Sequence, residues 1–208
     1  MIYHSTHPLI KHLVNSIRDI SIDAQRMREY IGTIAQFLLF EALRNQQLVP
    51  KTISTWIGSK EFGFLDEENF VFIPILRAGI PMMEGVLPLF PKAKAGFLAM
   101  KRDESTFEPI VYYKRFPKLE NKTVFLCDPM VATGGSLHDA IKIVGKENPA
   151  KIITLNIVGV QEGLEYAQSA NENVDIYIAQ IDDHLNDKKY IIPGLGDAGD
   201  RAYNTEEE

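Results

Sequence analysis

"VFLCDPMVATGGSLHDAIKIV", Val124 to Val144, is the stretch on which the reading of the whole chain turns. An apolar, β-forming run ends at Asp128, Thr133-Gly134-Gly135-Ser136 make a tight turn, and an amphipathic run follows. That is a strand, a turn and a helix start. In an open parallel sheet, ligands gather at the carboxyl ends of strands, and Asp128 stands at one. The first amides of a helix have no partner inside it and carry the positive end of its dipole, so they suit a phosphate dianion. Gly134 and Gly135 let the backbone come close and take positive φ, and the Thr133 and Ser136 hydroxyls add donors. A second reading needs no ligand. Ser136 followed three residues later by Asp139 matches a capping box, which satisfies the helix start internally.

The nucleotide-triphosphate loop is excluded, because no Gly-x-x-x-x-Gly-Lys-Ser/Thr run occurs in the chain. A carboxylate at position 128 would repel phosphate oxygens but can accept hydrogen bonds from sugar hydroxyls. The residues therefore point to a ligand carrying both a ribose and a terminal phosphate.

Outward from this stretch the same strand type recurs. "FVFIPI" (70–75), "AGFLAM" (95–100), "TVFLC" (123–127), "IITLNIV" (152–158) and "VDIYIA" (174–179) repeat one apolar strand type, with helix-like runs near 136–147 and 161–172 between the later ones. Such strands are covered on both faces. The expected fold is α/β, a doubly wound, mostly parallel sheet from about Phe70 to Ala179 within a single domain, 1–208. A helical N-terminal extension precedes it. Leu9, Leu13, Val14, Ile17 and Ile20 share one face of a first helix, and Met27, Ile31, Ile34 and Leu38 continue a second after Asp23. "RDESTFEPIVYYKRFP" (102–117) is a surface excursion, either an exposed hairpin or a lid over the site, and "EEE" (206–208) is a solvated end.

The totals narrow the function classes. With 45% apolar and 24% charged residues the composition is that of a soluble globular protein, and a net charge of −6 argues against a general nucleic-acid binder. The lone cysteine, Cys127, lies inside an apolar run and reads as a buried, inert thiol; it excludes a disulfide scaffold. No membrane span or secretory signal is visible, which leads to the expectation of a cytoplasmic protein. The five histidines are scattered, and His138 reads as a surface residue.

"DPMVATGGS" resembles the phosphoribosyl-pyrophosphate signature of the phosphoribosyltransferases, and its Pro129 is the uracil-specific form. "PILRAG" (74–79), "KRDESTFEP" (101–109) and "YIIPGLGDAGDR" (190–201) resemble segments of uracil phosphoribosyltransferases in the same order, so the likeness covers nearly the whole chain. It implies a type I phosphoribosyltransferase fold with a C-terminal base-binding loop, and transfer of phosphoribosyl from phosphoribosyl pyrophosphate to uracil. It places the ribose 5-phosphate on Asp128, Pro129, Met130, Val131, Ala132, Thr133, Gly134, Gly135 and Ser136, and the pyrophosphate on Arg77 and Arg102, with Lys101 adding charge. Uracil falls to Ile191, Gly196, Asp197 and Ala198, and Asp197 also faces phosphoribosyl pyrophosphate and its metal. That metal is magnesium, carried by phosphate oxygens and water rather than by a protein cage. The resemblance further implies a homodimer or larger homo-oligomer, no nucleic-acid or membrane partner, and a non-proline cis peptide near Arg77–Ala78–Gly79. Some relatives bind GTP, on which the sequence is silent. Lys101 stands where relatives often have an aromatic, and Asn204 where they usually have glycine.

The chemistry suits these residue types. Displacing pyrophosphate from the anomeric carbon builds positive charge on the ribose and negative charge on the leaving group, so arginine forks and an in-line nucleophile are what catalysis needs. Asp197 is the nearest candidate for a general base. "GLGDAG" (194–199) fits a dinucleotide motif by letter, but too little chain follows for the helix and acid which that motif needs. Backbone groups of Pro193, Gly194 and Gly196 could instead match the acceptor, donor, acceptor edge of uracil. Two rival readings stand beside this one: an RNA-binding regulator on the same scaffold, and a transferase for orotate or a purine.

Overall fold

The computed structural model describes residues 1–102 and 109–205, with Arg102 described by its backbone alone. The middle of the expected excursion, 103–108, and the 206–208 end lie outside the described residues. The chain opens with β1 (Ile2–His4), α1 (Pro8–Arg18) and α2 (Ala24–Ala42), followed by a hairpin of β2 (Val49–Thr55) and β3 (Gly58–Phe64). Next come β4 (Phe70–Leu76), α3 (Ile80–Val86), β5 (Lys94–Ala95), β6 (Phe97–Arg102), β7 (Pro109–Arg115), β8 (Thr123–Cys127) and β9 (Met130–Val131). The remainder is α4 (Gly135–Gly145), β10 (Lys151–Val160), α5 (Gln161–Gln168), β11 (Val174–Asp182), β12 (His184–Leu185), β13 (Ile191–Ile192) and α6 (Ala198–Tyr203).

The main sheet runs β1-β11-β10-β8-β4-β6-β7, with β5 on β4 and β9 on β10; every pairing in it is parallel except β6 with β7. Alternate side chains of one strand serve opposite faces. Phe70 and Phe72 join Phe125 and Leu155 under α1, α2 and α3. Val71 and Ile73 join Val124 and Leu126 under α4 and α5. That is why these strands are mostly apolar on both faces, and the doubly wound reading holds.

The sheet nevertheless exceeds the expected Phe70–Ala179 span. β1 adds a parallel edge strand, pairing Ile2 with Ile176, and β11 continues to Asp182. Three residues are too few to show a period in sequence. In α1 the buried stripe is Ile10, Leu13, Val14 and Ile17, while Leu9 is 43% and Ile20 92% exposed. The helix starts at Pro8 behind a His7 cap and stops at Arg18, so Ile20 falls in the following loop. The β2–β3 hairpin was not expected. Almost every residue in it is exposed, so it lacks the apolar signal by which the other strands were found.

α2 and α3 cross in close contact at Gly32 and Gly85. A Cβ on Gly85 would lie 2.5 Å from the Gly32 backbone. Because backbone blocks it on both helices, Gly85→Ala should destabilise the protein by ~1–3 kcal/mol, the usual cost of overpacking. Thermal unfolding would then shift down by ~3–10 °C. An unchanged midpoint would show that the two helices can separate at no cost.

Candidate active site

The turn after β8 builds the first wall. α4 begins at Gly135 with Gly134 as its cap residue, at φ 76°, and no side chain caps it. Ser136 sits inside the helix rather than at the cap, so the capping-box reading fails. Apart from a long contact of 3.5 Å from the Gly135 amide to the Thr133 hydroxyl, the first amides of α4 make no capping bond, as the phosphate reading requires. Gly134 is needed twice over. Its φ is left-handed, and a Cβ there would lie 2.0 Å from the carbonyl oxygen of Gly163 in α5. Gly163 in turn would strike the Ala132 carbonyl at 2.0 Å. The turn is thus clamped against the start of α5 by two glycines, of which sequence reading found only one.

Behind the turn, His138 is 8% exposed rather than on the surface. Its ring stacks on Tyr166 of α5 at 4.5 Å, and its Nδ1 lies 3.3 Å from Asp139 Oδ1. The helix face that carries it packs on α5, which the spacing of a single histidine could not reveal.

Asp128 occupies a break in the ladder. β8 pairs with β10 as far as Cys127 opposite Leu155, and pairing resumes only at Met130 opposite Val158. Between them the Asp128 amide still donates to the Leu155 carbonyl at 3.2 Å. Its own carbonyl instead accepts from the side-chain amide of Asn156 at 2.6 Å, and Asn156 is oriented by the Thr154 hydroxyl at 2.6 Å. Both are fully buried polar residues on a core strand. Nothing in the sequence analysis singled them out, although a polar pair inside "IITLNIV" was the available signal. Burial pushes the Asp128 carboxyl up to about 7, opposed by the Met130 amide at 3.4 Å. Burial first, and the Asp128 charge second, raise the Cys127 thiol to about 12, as befits an inert cysteine.

The second wall is the turn after β4. The non-proline cis peptide is Leu76–Arg77, one bond before the expected segment. A Cβ on Gly79 would lie 2.1 Å from the Cys127 carbonyl, so this turn presses on the strand end that carries Asp128. Arg77 projects into solvent and pairs with Asp200 at 2.8 Å and with the Thr205 hydroxyl at 3.1 Å. Arg102 ends β6, next to β4 in the sheet, with Lys101 exposed beside it.

The third wall is the C-terminal loop. After the cis Ile192–Pro193 bond, Gly194 and Gly196 take φ of 60° and 78°, and Asp197 caps α6 by accepting from the Asp200 amide at 2.9 Å. A Cβ on Gly199 would meet Ala78 near 3.9 Å, which seats α6 on the Arg77 turn. Ile191 and Ala198 are buried while Gly196 and Asp197 are exposed. Asn204 ends α6 in the left-handed conformation at φ 52°, a position asparagine tolerates next best after glycine. A cavity of about 720 Å³ is lined by Arg18, Ile20, Tyr190, Gly194, Gly196 and Asp197, among others. The structure therefore gathers the residues 128–136, the Arg77 turn and the C-terminal loop at the carboxyl ends of β8 and β4, and adds Arg18 and Ile20 from the N-terminal extension.

One reading needs correction. The Gly194 amide donates to Asp182 at 2.9 Å, and its carbonyl accepts from Arg18. The Leu195 carbonyl accepts from Arg201 at 2.7 Å. The Gly194 amide is therefore already spent and is not among the donors that can read a base, and its carbonyl keeps one lone pair.

Comparison with known proteins agrees with this geometry. The family model described as uracil phosphoribosyltransferase matches residues 4–205. A uracil phosphoribosyltransferase of Aquifex aeolicus is 45% identical, with 98% of each chain covered. One from Ureaplasma urealyticum is 42% identical over 96% of this chain and 97% of its own. A solved structure from Aquifex aeolicus superposes with a TM-score of 0.95 at 44% identity, covering 100% of both chains. A fold, a strand-end site and full-length relatives agree: the chain belongs to the uracil phosphoribosyltransferase family.

Proposed function

We propose that this protein transfers the phosphoribosyl group of phosphoribosyl pyrophosphate to uracil, giving uridine monophosphate and pyrophosphate. The observation that carries the reading is the uncapped start of α4 beside Asp128, with the Arg77 turn pressed against the same strand end. In this reading the amides and hydroxyls of Thr133 to Ser136 bind the 5-phosphate, on the peptide run from Asp128 to Ala132, and the Asp128 carboxylate accepts from the ribose hydroxyls. Arg77 and Arg102 take the pyrophosphate. Arg77 must leave Asp200 to do so, which an exposed ion pair allows at little cost. Backbone groups of Ile191 and of Gly196 to Ala198 hold uracil with N1 towards the anomeric carbon. The N1 lone pair forms the new bond as the bond from carbon to pyrophosphate oxygen breaks. Asp197 is our candidate acceptor of the N1 proton.

We also propose magnesium as a companion of pyrophosphate. Among the described residues no group of three His, Cys, Asp or Glu side chains converges on one point, and the site's carboxylates are Asp128, Asp197 and Asp200, the last paired with Arg77. That donor set fits an ion held mainly by phosphate oxygens and water. When bound, it neutralises charge on the departing oxygens.

A homodimer or larger assembly is proposed as well. It is supported by a hairpin tip with Trp56 95% exposed, and by an apolar surface where Phe40, Leu48 and Leu89 are 71%, 60% and 52% exposed. Sedimentation at micromolar concentration should show more than one chain per particle, and a monomer there would remove the proposal. Among the described residues no helix is long and apolar enough to cross a membrane.

The direct assay offers labelled uracil, cytosine, orotate and hypoxanthine with phosphoribosyl pyrophosphate and magnesium. Product from uracil alone is expected; product from orotate or hypoxanthine would reassign the base. A second test uses the raised Asp128 pKa. A ligand that needs the carboxylate must drive off a proton, so affinity for phosphoribosyl pyrophosphate should fall ~10–25-fold from pH 7.5 to 5.5. Asp128→Asn should show only the smaller fall due to phosphate protonation, and should lose most turnover. The same shift opposes folding. Between about pH 4 and 7 the native state binds the extra proton, so stability falls as pH rises through that window. Asp128→Asn should therefore be more stable than the parent by ~1–2 kcal/mol at pH 8 and equal to it near pH 4. Equal stability at both would mean that Asp128 is not desolvated.

A further inference from the structure

We infer that Arg18 and Asp182 are a positioning pair for base recognition, setting the backbone of the C-terminal loop so that its unengaged groups fit uracil. The inference rests on the reading of that loop as the base site.

Arg18 is the last residue of α1, and Asp182 the last of β11. Their contact is a two-pronged fork, with Nη1 to Oδ2 at 2.8 Å and Nη2 to Oδ1 at 2.6 Å, and Asp182 is 6% exposed. Asp182 Oδ2 also accepts from the Gly194 amide at 2.9 Å, and Arg18 Nη1 also donates to the Gly194 carbonyl. The pair thus holds both polar groups of one peptide residue. A planar fork can reach both carboxylate oxygens and the carbonyl at once, and the single nitrogen of lysine cannot reproduce that two-pronged contact.

Gly194 is the residue on which the loop pivots. It follows the cis Ile192–Pro193 bond, takes φ 60°, and a Cβ on it would lie 2.1 Å from the Ile191 carbonyl. Turning Gly194 would swing Gly196, Asp197 and Ala198, the groups left to read a base. Arg201 fastens the same region independently, through Leu195 at 2.7 Å and through the Ile17 and Asp19 carbonyls at 2.6 and 2.7 Å. Weakening Arg18–Asp182 should therefore misalign the loop without detaching it. Base discrimination depends on leaving the wrong base with unpaired buried groups, so it is lost when those groups lose their fixed positions.

The test compares the parent with Arg18→Lys and Asp182→Asn in steady-state assays varying uracil, cytosine and phosphoribosyl pyrophosphate separately. The KM for uracil is expected to rise ~10-fold or more and the uracil-to-cytosine preference to narrow by a similar factor, with the KM for phosphoribosyl pyrophosphate within ~2-fold of the parent. A merely structural role would lower the active fraction and leave the KM values in place, and that outcome would overturn the inference. So would equal changes in both KM values. If the parent itself makes no product from uracil, it is the proposed function that fails. Should both variants prove too unstable to assay, hydrogen exchange on the substrate-free parent decides. The Gly194 amide, donated to Asp182, must be as protected as the amides of α1, and rapid exchange there would show that the loop is not fastened before substrate arrives.

Discussion

At Asp128 the chain leaves a parallel ladder without leaving a buried carbonyl unpaired, because the Asn156 amide takes the place of the missing strand partner. An orphaned acceptor in the sheet interior would cost ~1–3 kcal/mol. With it satisfied, β8 can end on a carboxylate, step sideways to β9, and enter α4 through a left-handed glycine. The orientation of the helix start, the position of the carboxylate and the seat of the Arg77 turn all follow from that exit. The three walls of the site are therefore mechanically one. Gly79 leans on Cys127 and Gly134 on Gly163, each where a single methyl group would separate them, and Gly199 lies within van der Waals reach of Ala78.

This arrangement keeps a carboxylate in surroundings that resist its charge. In the proposed reading, the raised Asp128 pKa is a stability cost retained where the ribose hydroxyls bind, and proton release accompanies binding. Arg77, by contrast, rests in solvent on Asp200, ready to exchange one anion for another. In that reading the half-buried Asp128 faces the sugar and the exposed Arg77 faces the leaving group.

Much of this was legible from residues 124–144 alone. Strand, acid, glycine pair and helix start are contiguous, and their chemistry is local. The apolar strands were visible because burial on both faces leaves no polar alternation to confuse them. What escaped was whatever depends on distant packing. His138 is buried by Tyr166 on another helix, β1 is fixed by a strand at the far end of the chain, and the β2–β3 hairpin carries no apolar run. The Arg18–Asp182 fork joins residues far apart in sequence, and neither stands in a motif. The capping-box reading failed because Gly134, not Ser136, occupies the cap, a shift of two residues that composition cannot decide.

The most direct measurement is a crystal structure of the protein with phosphoribosyl pyrophosphate bound. The 5-phosphate should lie within hydrogen-bond reach of the Thr133 to Ser136 amides, with the ribose hydroxyls on Asp128. Density for the sugar phosphate lodged elsewhere, with that turn vacant, would contradict the assignment of the site at its root.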